Sequence, residues 1–321
     1  MTHALYTRAL GFLLGLLLAS CQPQAAAPPV VDPTVPTRPV EHIMGTTQVP
    51  RSPERVVVID TTPLDAALAL GIQPVGTIRY GAPPGYLEDA VQDIEVVGEY
   101  NQPNLETILR LEPDLILGAK SISERLYPRL SQIAPTVFIQ GFGRSWDWKN
   151  NFRIFAAALG RSEQAEVLLA DYQQQLTALK SSLDPPPETI AVSVLSSTPR
   201  GLVGSTPKSF SGSILQELGF ARSAAQSLEE ESFVRLSRED LAGPDGDVIF
   251  LIHNAAWRNT SKETFMNDRL WSQLEAVQQD AVCEVAGDVW SSGRSLLAAQ
   301  QILQDIETCL ARTFPQAEEV E

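Results

Sequence analysis

Histidine, cysteine and positive charge are all scarce in this chain of 321 residues. It has three histidines and three cysteines, and 24 basic residues stand against 39 acidic ones, a formal net charge of −15. His3, His42 and His253 are too dispersed for a metal centre built on imidazoles, so no protein-held metal is expected. The acidic balance argues against nucleic acid, whose phosphates require a basic face. So few cysteines exclude a disulfide-built scaffold. Long apolar runs are also missing: Ala9 to Ala19 is uninterrupted but too short for an ordinary membrane span.

That apolar run has another reading. Arg8 precedes it and Leu18-Ala19-Ser20-Cys21 closes it, so residues 1–20 have the form of an export leader. Small residues directly before the cysteine match a bacterial lipobox, in which Cys21 is lipidated and becomes the mature N-terminus. The alternative is an ordinary signal peptide with a free cysteine nearby. The expected location is outside the cytoplasm, lipid-anchored to the cell membrane and facing the periplasm or the exterior. Residues 21–53 hold eight of the 23 prolines and little apolar periodicity, which predicts an extended linker. In an oxidising compartment Cys283, in a predicted strand, and Cys309, in the last predicted helix, can bridge or remain buried thiols.

The folded part repeats itself. Asn104-Leu-Glu-Thr-Ile-Leu-Arg-Leu-Glu-Pro-Asp-Leu-Ile-Leu117 reads as a capped helix, a proline stop and a buried strand. Ser237-Arg-Glu-Asp-Leu-Ala-Gly-Pro-Asp-Gly-Asp-Val-Ile-Phe250 aligns with it without a gap, Glu106 on Glu239 and Asp114 on Asp247. Further strands alternate with short helices on both sides, as in a parallel sheet. Between the copies lie helical stretches from Asp147 to Leu159 and from Ser162 to Leu183, broken only at Gly160 and ended by Pro185-Pro-Pro187. The predicted class is α/β, with two lobes, each a parallel-type sheet flanked by helices, joined by a single long interlobe helix. The expected boundaries are 54–142 for the N-terminal lobe, 143–187 for the interlobe helix, 188–315 for the C-terminal lobe and 316–321 for an acidic tail.

Several motifs in order now resemble a known family. Arg55-Val-Val-Val-Ile-Asp60, Gly98-x-x-x-Gln102-Pro-Asn-Leu-Glu106, Leu130-Ser-x-Ile-Ala-Pro-Thr-Val137, Trp148-x-x-Asn151-Phe, Ser209-Phe-x-Gly-x-Ile-Leu-x-Glu-Leu-Gly219 and Trp290-x-x-Gly293 resemble the iron–siderophore substrate-binding proteins of ABC importers. The resemblance implies a ferric siderophore held between the lobes and delivered to an ABC permease with its cytoplasmic ATPase. It implies no enzymatic activity and no resident cofactor, since iron arrives inside the chelate. It also implies that Glu106 and Glu239, one per lobe, dock on the permease. Each would sit in a helix first turn, where a carboxylate is favoured by the helix dipole alone.

In parallel α/β lobes the ligand lies off the carboxyl ends of the strands. The residues expected there are Arg79, Tyr80, Arg144, Trp146, Arg200, Trp257, Arg258, Trp290 and Arg294, with Trp148 on the helix that follows. Guanidinium groups suit the anionic oxygens of a ferric chelate, and aromatic faces suit its organic body. Two rivals stand beside this reading. The same fold can carry haem or a corrinoid, with Tyr80 or His253 as an axial ligand. An exported serine hydrolase would use Ser205-Thr-Pro-Lys208, but no Ser-Asp-Asn, Lys-Thr-Gly or Gly-x-Ser-x-Gly partner motif occurs.

Overall fold

The computed structural model describes residues 34–79, 84–142, 144–198, 201–228, 230–236, 246–253, 266–267 and 269–315. The leader, the first part of the linker (21–33) and the acidic tail lie outside these residues.

The first element corrects the linker expectation. β1 (Thr37–His42) and β2 (Gly45–Pro50) form an antiparallel hairpin inside residues 21–53. It folds because Val40 and Val49 are buried and because one cation has work to do. Arg38 donates from Nε to the Ala157 carbonyl at 2.6 Å and from Nη2 to the Ala158 carbonyl at 2.8 Å, binding carbonyls in the last turn of a helix. The hairpin turn also reaches Phe138: the Ile43 N–H donates to its carbonyl, and its N–H donates to His42 Nδ1. Those bonds close an otherwise open sheet edge.

That edge belongs to the N lobe. β3 (Val56–Val58), β4 (Gly76–Arg79), β5 (Glu95–Glu99), β6 (Gln102–Pro103), β7 (Leu115–Ala119) and β8 (Thr136–Ile139) form one sheet in the order β6-β5-β4-β3-β7-β8. All pairs are parallel except β5–β6. Helix α1 (Thr61–Ala69) begins at Asp60, whose carboxylate accepts from the Thr62 N–H and caps it. Helix α2 (Leu105–Arg110) is capped by Asn104, whose Oδ1 accepts from the N–H groups of Glu106 and Thr107.

The connection is two helices in series. α3 (Trp148–Leu159) ends at Gly160, at φ +72°, and α4 (Ser162–Ser182) continues for 21 residues. Only glycine suits Gly160, since a Cβ would also lie 2.6 Å from the Arg51 carbonyl. In the C lobe, β9 (Val192–Thr198), β10 (Gly201–Ser205), β11 (Phe233–Leu236), β12 (Val248–His253) and β13 (Val282–Ala286) have the order β11-β10-β9-β12-β13. β9, β12 and β13 are parallel, whereas β10 and β11 are antiparallel additions. Only two residues separate Thr198 from Gly201, which permits a hairpin and forbids a parallel crossover. Helices α5 (Phe210–Leu218) and α6 (Leu296–Thr313) flank this sheet.

The repeat survives in three dimensions where it is described. Asp114 accepts from the N–H groups of Glu54 and Arg55 at 2.7 and 3.0 Å, tying the start of β7 to the chain entering β3. Its counterpart Asp247 accepts from the Ala191 N–H at 2.7 Å, tying the start of β12 to the chain entering β9. One continuous apolar core runs from Val56, Leu64 and Leu117 through Phe152, Phe155 and Tyr172 to Val194, Phe250 and Ile302, so each interlobe helix contributes one apolar face to it. Separate clusters cover the other face of each sheet, which explains the unbroken apolar strands. Cys283 and Cys309 are bridged, with Cα atoms 6.0 Å apart, joining β13 to α6.

Candidate functional site

The carboxyl ends of β3 and β8 meet the other lobe, where Asp60 and Phe142 lie against Arg294. Arg79 ends β4 and is exposed. After β8 come Phe142, 44 % exposed, and a 3-10 turn, Ser145–Asp147. Gly141 makes that exit at φ +78°, where a Cβ would meet Ser121 Oγ. Arg144 pairs with Asp147 at 3.3 Å, a half-exposed bridge of little energetic worth. Its guanidinium also lies 5.5 Å from the centre of the Trp146 ring.

The opposite lobe supplies a cation that no strand-end pattern marks. Lys208 places Nζ 4.7 Å from the Trp146 ring centre, so the indole bridges the boundary between two cations. The lysine is held by its backbone. Its N–H donates to Thr206 Oγ1 at 3.2 Å, and its carbonyl accepts from Ser232 Oγ at 2.9 Å. Ser209 then caps α5 by accepting from the Gly212 N–H. Gly212 is obligatory: a Cβ there would lie 1.9 Å from the Thr206 carbonyl oxygen. The Ser-x-x-Lys match therefore serves another purpose, because Ser205 is buried within β10 while Lys208 engages Trp146.

Three residues expected in the cleft are buried. Trp290 is 1 % exposed, stacks on Phe250 at 4.6 Å and donates from Nε1 to Asp305 Oδ2 at 2.7 Å. It packs the C-lobe core, since the short helix Gly287–Trp290 turns it inward. Arg294 is 3 % exposed and at φ +53°; its Nη2 lies 3.4 Å from Asp60 Oδ1, and its guanidinium covers Phe142 at 4.2 Å. It joins the lobes and props Phe142 from behind. Trp148 is also fully buried, edge-on to Tyr172 and Phe210. Tyr80, Arg200, Trp257, Arg258, Glu239 and Cys21 lie outside the described residues. His253 ends β12 half-buried.

A polar seam joins the two lobes. Asp65 on α1 accepts from the N–H groups of Leu297 and Ala298 at 3.0 and 2.9 Å, so an N-lobe carboxylate caps the C lobe's last helix. Tyr86 donates to the same carboxylate at 3.0 Å. Burial pushes Asp65 up to about 6, with the donated hydrogen bonds opposing it. Burial and the adjacent Asp65 push the Tyr86 phenol above its ordinary range. Thr61 Oγ1 donates to the Ser292 carbonyl at 2.9 Å, and the Gly85 N–H donates to Asp288 Oδ2 at 2.6 Å.

Two α/β lobes, a long helical connection and a boundary lined by strand ends are the plan of a two-lobed binding protein. The chain matches the periplasmic binding protein family over residues 56–288. It belongs to that family. This periplasmic binding protein is 34 % identical to the probable siderophore-binding lipoprotein YfiY of Bacillus subtilis (strain 168), over 86 % of this chain and 89 % of that one. It is 32 % identical to the achromobactin-binding periplasmic protein of Dickeya dadantii (strain 3937), over 79 % and 85 % of the two chains. Its fold superposes on Staphylococcus aureus SirA complexed with staphyloferrin B with a TM-score of 0.75, at 25 % identity, over 85 % of this chain and 98 % of that one.

Proposed function

We propose that this protein captures an anionic ferric chelate of the siderophore class between its lobes and delivers it to an ABC permease and its ATPase. One observation carries the reading: in a chain of net charge −15, cations gather on an aromatic at the lobe boundary, Arg144 and Lys208 on Trp146. Such a place offers charge-assisted bonds to chelate oxygens and an aromatic face to the organic body. Relatives named for siderophore and achromobactin binding support the same class. Iron enters as cargo with its coordination filled by the chelator, so the protein needs no metal ligands of its own. Arg79, Arg144, Trp146 and Lys208 are the contacts the described residues offer, with Phe142 as a further aromatic face. Tyr80, Arg200, Trp257 and Arg258 complete the set by sequence position.

Glu106 is the proposed permease contact on the N lobe, with Glu239 as its C-lobe counterpart. Glu106 is exposed on α2, beside Leu109, itself 59 % exposed, and a shallow depression that includes Arg129. An anchor on Cys21 would keep the protein at the membrane, as relatives named lipoproteins suggest. Cys21→Ser should release it from the membrane fraction or block its maturation.

The test is titration by tryptophan fluorescence against a panel that includes ferric citrate and a ferric catecholate. Replacing Lys208 or Arg144 by alanine should cost ~1.5–3 kcal/mol, about tenfold or more in affinity, by loss of a charge-assisted bond. If neither variant loses more than about threefold for the chelate that wild type binds, the anionic-chelate reading is wrong.

A further inference from the structure

A cavity of about 520 Å³ lies away from Trp146, between β13, α6 and the Gly85–Tyr86 segment. Both bridged cysteines line it, Cys283 7 % and Cys309 4 % exposed. The bridge has unlike ends. Arg312, one turn beyond the end of the bridge on α6, directs Nη2 to the Cys283 sulfur at 3.2 Å and to the Val282 carbonyl at 2.8 Å. Among the described residues no cation is placed on the Cys309 sulfur. Apart from Arg312, three carboxylates, Glu284, Asp288 and Asp305, stand in an otherwise apolar and neutral wall. Asp288 already accepts from the Gly85 N–H, and Asp305 from Trp290 and Gln301.

We infer that this cavity is a thiol–disulfide exchange site for small cationic aminothiols, with Cys309 as the sulfur attacked and Cys283 as the leaving group. In the first step an aminothiolate forms a bond to Cys309 Sγ. The Cys283–Cys309 bond breaks, and its electron pair leaves on Cys283 as a thiolate beside the Arg312 guanidinium. A cation at that position lowers the thiol pKa, and a lower leaving-group pKa speeds departure. A second aminothiolate then displaces Cys309 from the mixed disulfide. Two protein thiols and one small disulfide result, so two thiols are oxidised for each bridge reduced. The three carboxylates attract an ammonium-bearing thiol and repel an anionic one. Exchange here reaches the lobe boundary, because the bridge ties β13 to the helix that Asp65 caps from the other lobe.

The experiment uses the full mature protein with cysteamine, quenching by iodoacetamide and locating adducts by peptide mass mapping. The expected trapped species carries cysteamine on Cys309 and carbamidomethyl on Cys283. Arg312→Gln should slow bridge opening about threefold to tenfold, and Arg312→Lys should retain most of the rate. At matched thiolate concentration, 2-mercaptoethanesulfonate should react at least about threefold more slowly than cysteamine. An adduct mainly on Cys283, or a bridge that opens only in denaturant, overturns the inference. So does an unchanged rate in Arg312→Gln whose circular dichroism matches wild type. If Arg312→Gln does not fold, the adduct position and the cysteamine-to-sulfonate ratio in wild type decide alone.

Discussion

Replacing Asp65 by asparagine tests whether the lobes are joined through one buried carboxylate. The folded protein holds Asp65 at about 6, against 3.8 for a free carboxyl, chiefly through burial. Between those values the folded state binds more protons than the unfolded one. Stability from this group is therefore greatest below pH 3.8 and falls as pH rises through 6. A shift of that size corresponds to about 3 kcal/mol. Asparagine removes the charge and this pH dependence, and it keeps one oxygen for the Leu297 or Ala298 N–H. Losing the second acceptor costs about 1–3 kcal/mol, so the two effects nearly cancel at pH 7. At pH 4 the wild-type carboxyl is protonated, and the variant should be less stable by about 2 kcal/mol or more. Urea unfolding of both proteins at pH 4, 5, 6 and 7 gives the difference curve, in which the other carboxylates cancel. Parallel curves for the two proteins would refute the buried cross-lobe cap.

Replacing Cys283 and Cys309 together by serine opens a loop of 26 residues' separation and should lower unfolding stability by about 3.5 kcal/mol on the chain-entropy account; a urea midpoint within error of wild type would contradict it. Gly212→Ala forces its Cβ into the Thr206 carbonyl, so the Lys208 loop must shift, and both thermal stability and chelate affinity should fall. Glu106→Ala should abolish chelate uptake in cells while purified protein keeps its affinity within about twofold, because an exposed carboxylate contributes little to a remote site; a large loss of affinity would place Glu106 in the ligand site instead.

Much of the fold was legible in order along the chain. The apolar strands Val56–Val58, Leu115–Leu117 and Thr136–Ile139 lie where their composition and punctuation put them, because residues covered on both faces leave an unbroken apolar run. Gly160 and Pro185 marked the ends of the interlobe helices because backbone conformation is set locally. The repeat located Asp114 and Asp247, two carboxylates that prove to do the same job in each lobe. The paired cysteines were legible as candidates, and their bridging needed β13 and α6 side by side.

What local pattern does not encode is which distant residue supplies a partner. The hairpin Thr37–Pro50 looked like linker, since its proline-rich surroundings mask two buried valines and an arginine whose acceptors lie about 120 positions away. Trp290 and Arg294 follow a strand end as cleft residues should. Asp305 and Phe250 turn the indole inward, and Asp60 and Phe142 receive the guanidinium. Lys208 sits on a turn with no ligand signature and becomes a candidate contact only because Trp146 of the other lobe lies beneath it. The sequence by itself determined two α/β lobes, their long connection and the kinds of side chain available at the strand ends. Tertiary structure alone decided which of those side chains meet across the boundary, because hydrogen bonds and ring contacts between lobes depend on packing between segments that sequence distance does not relate.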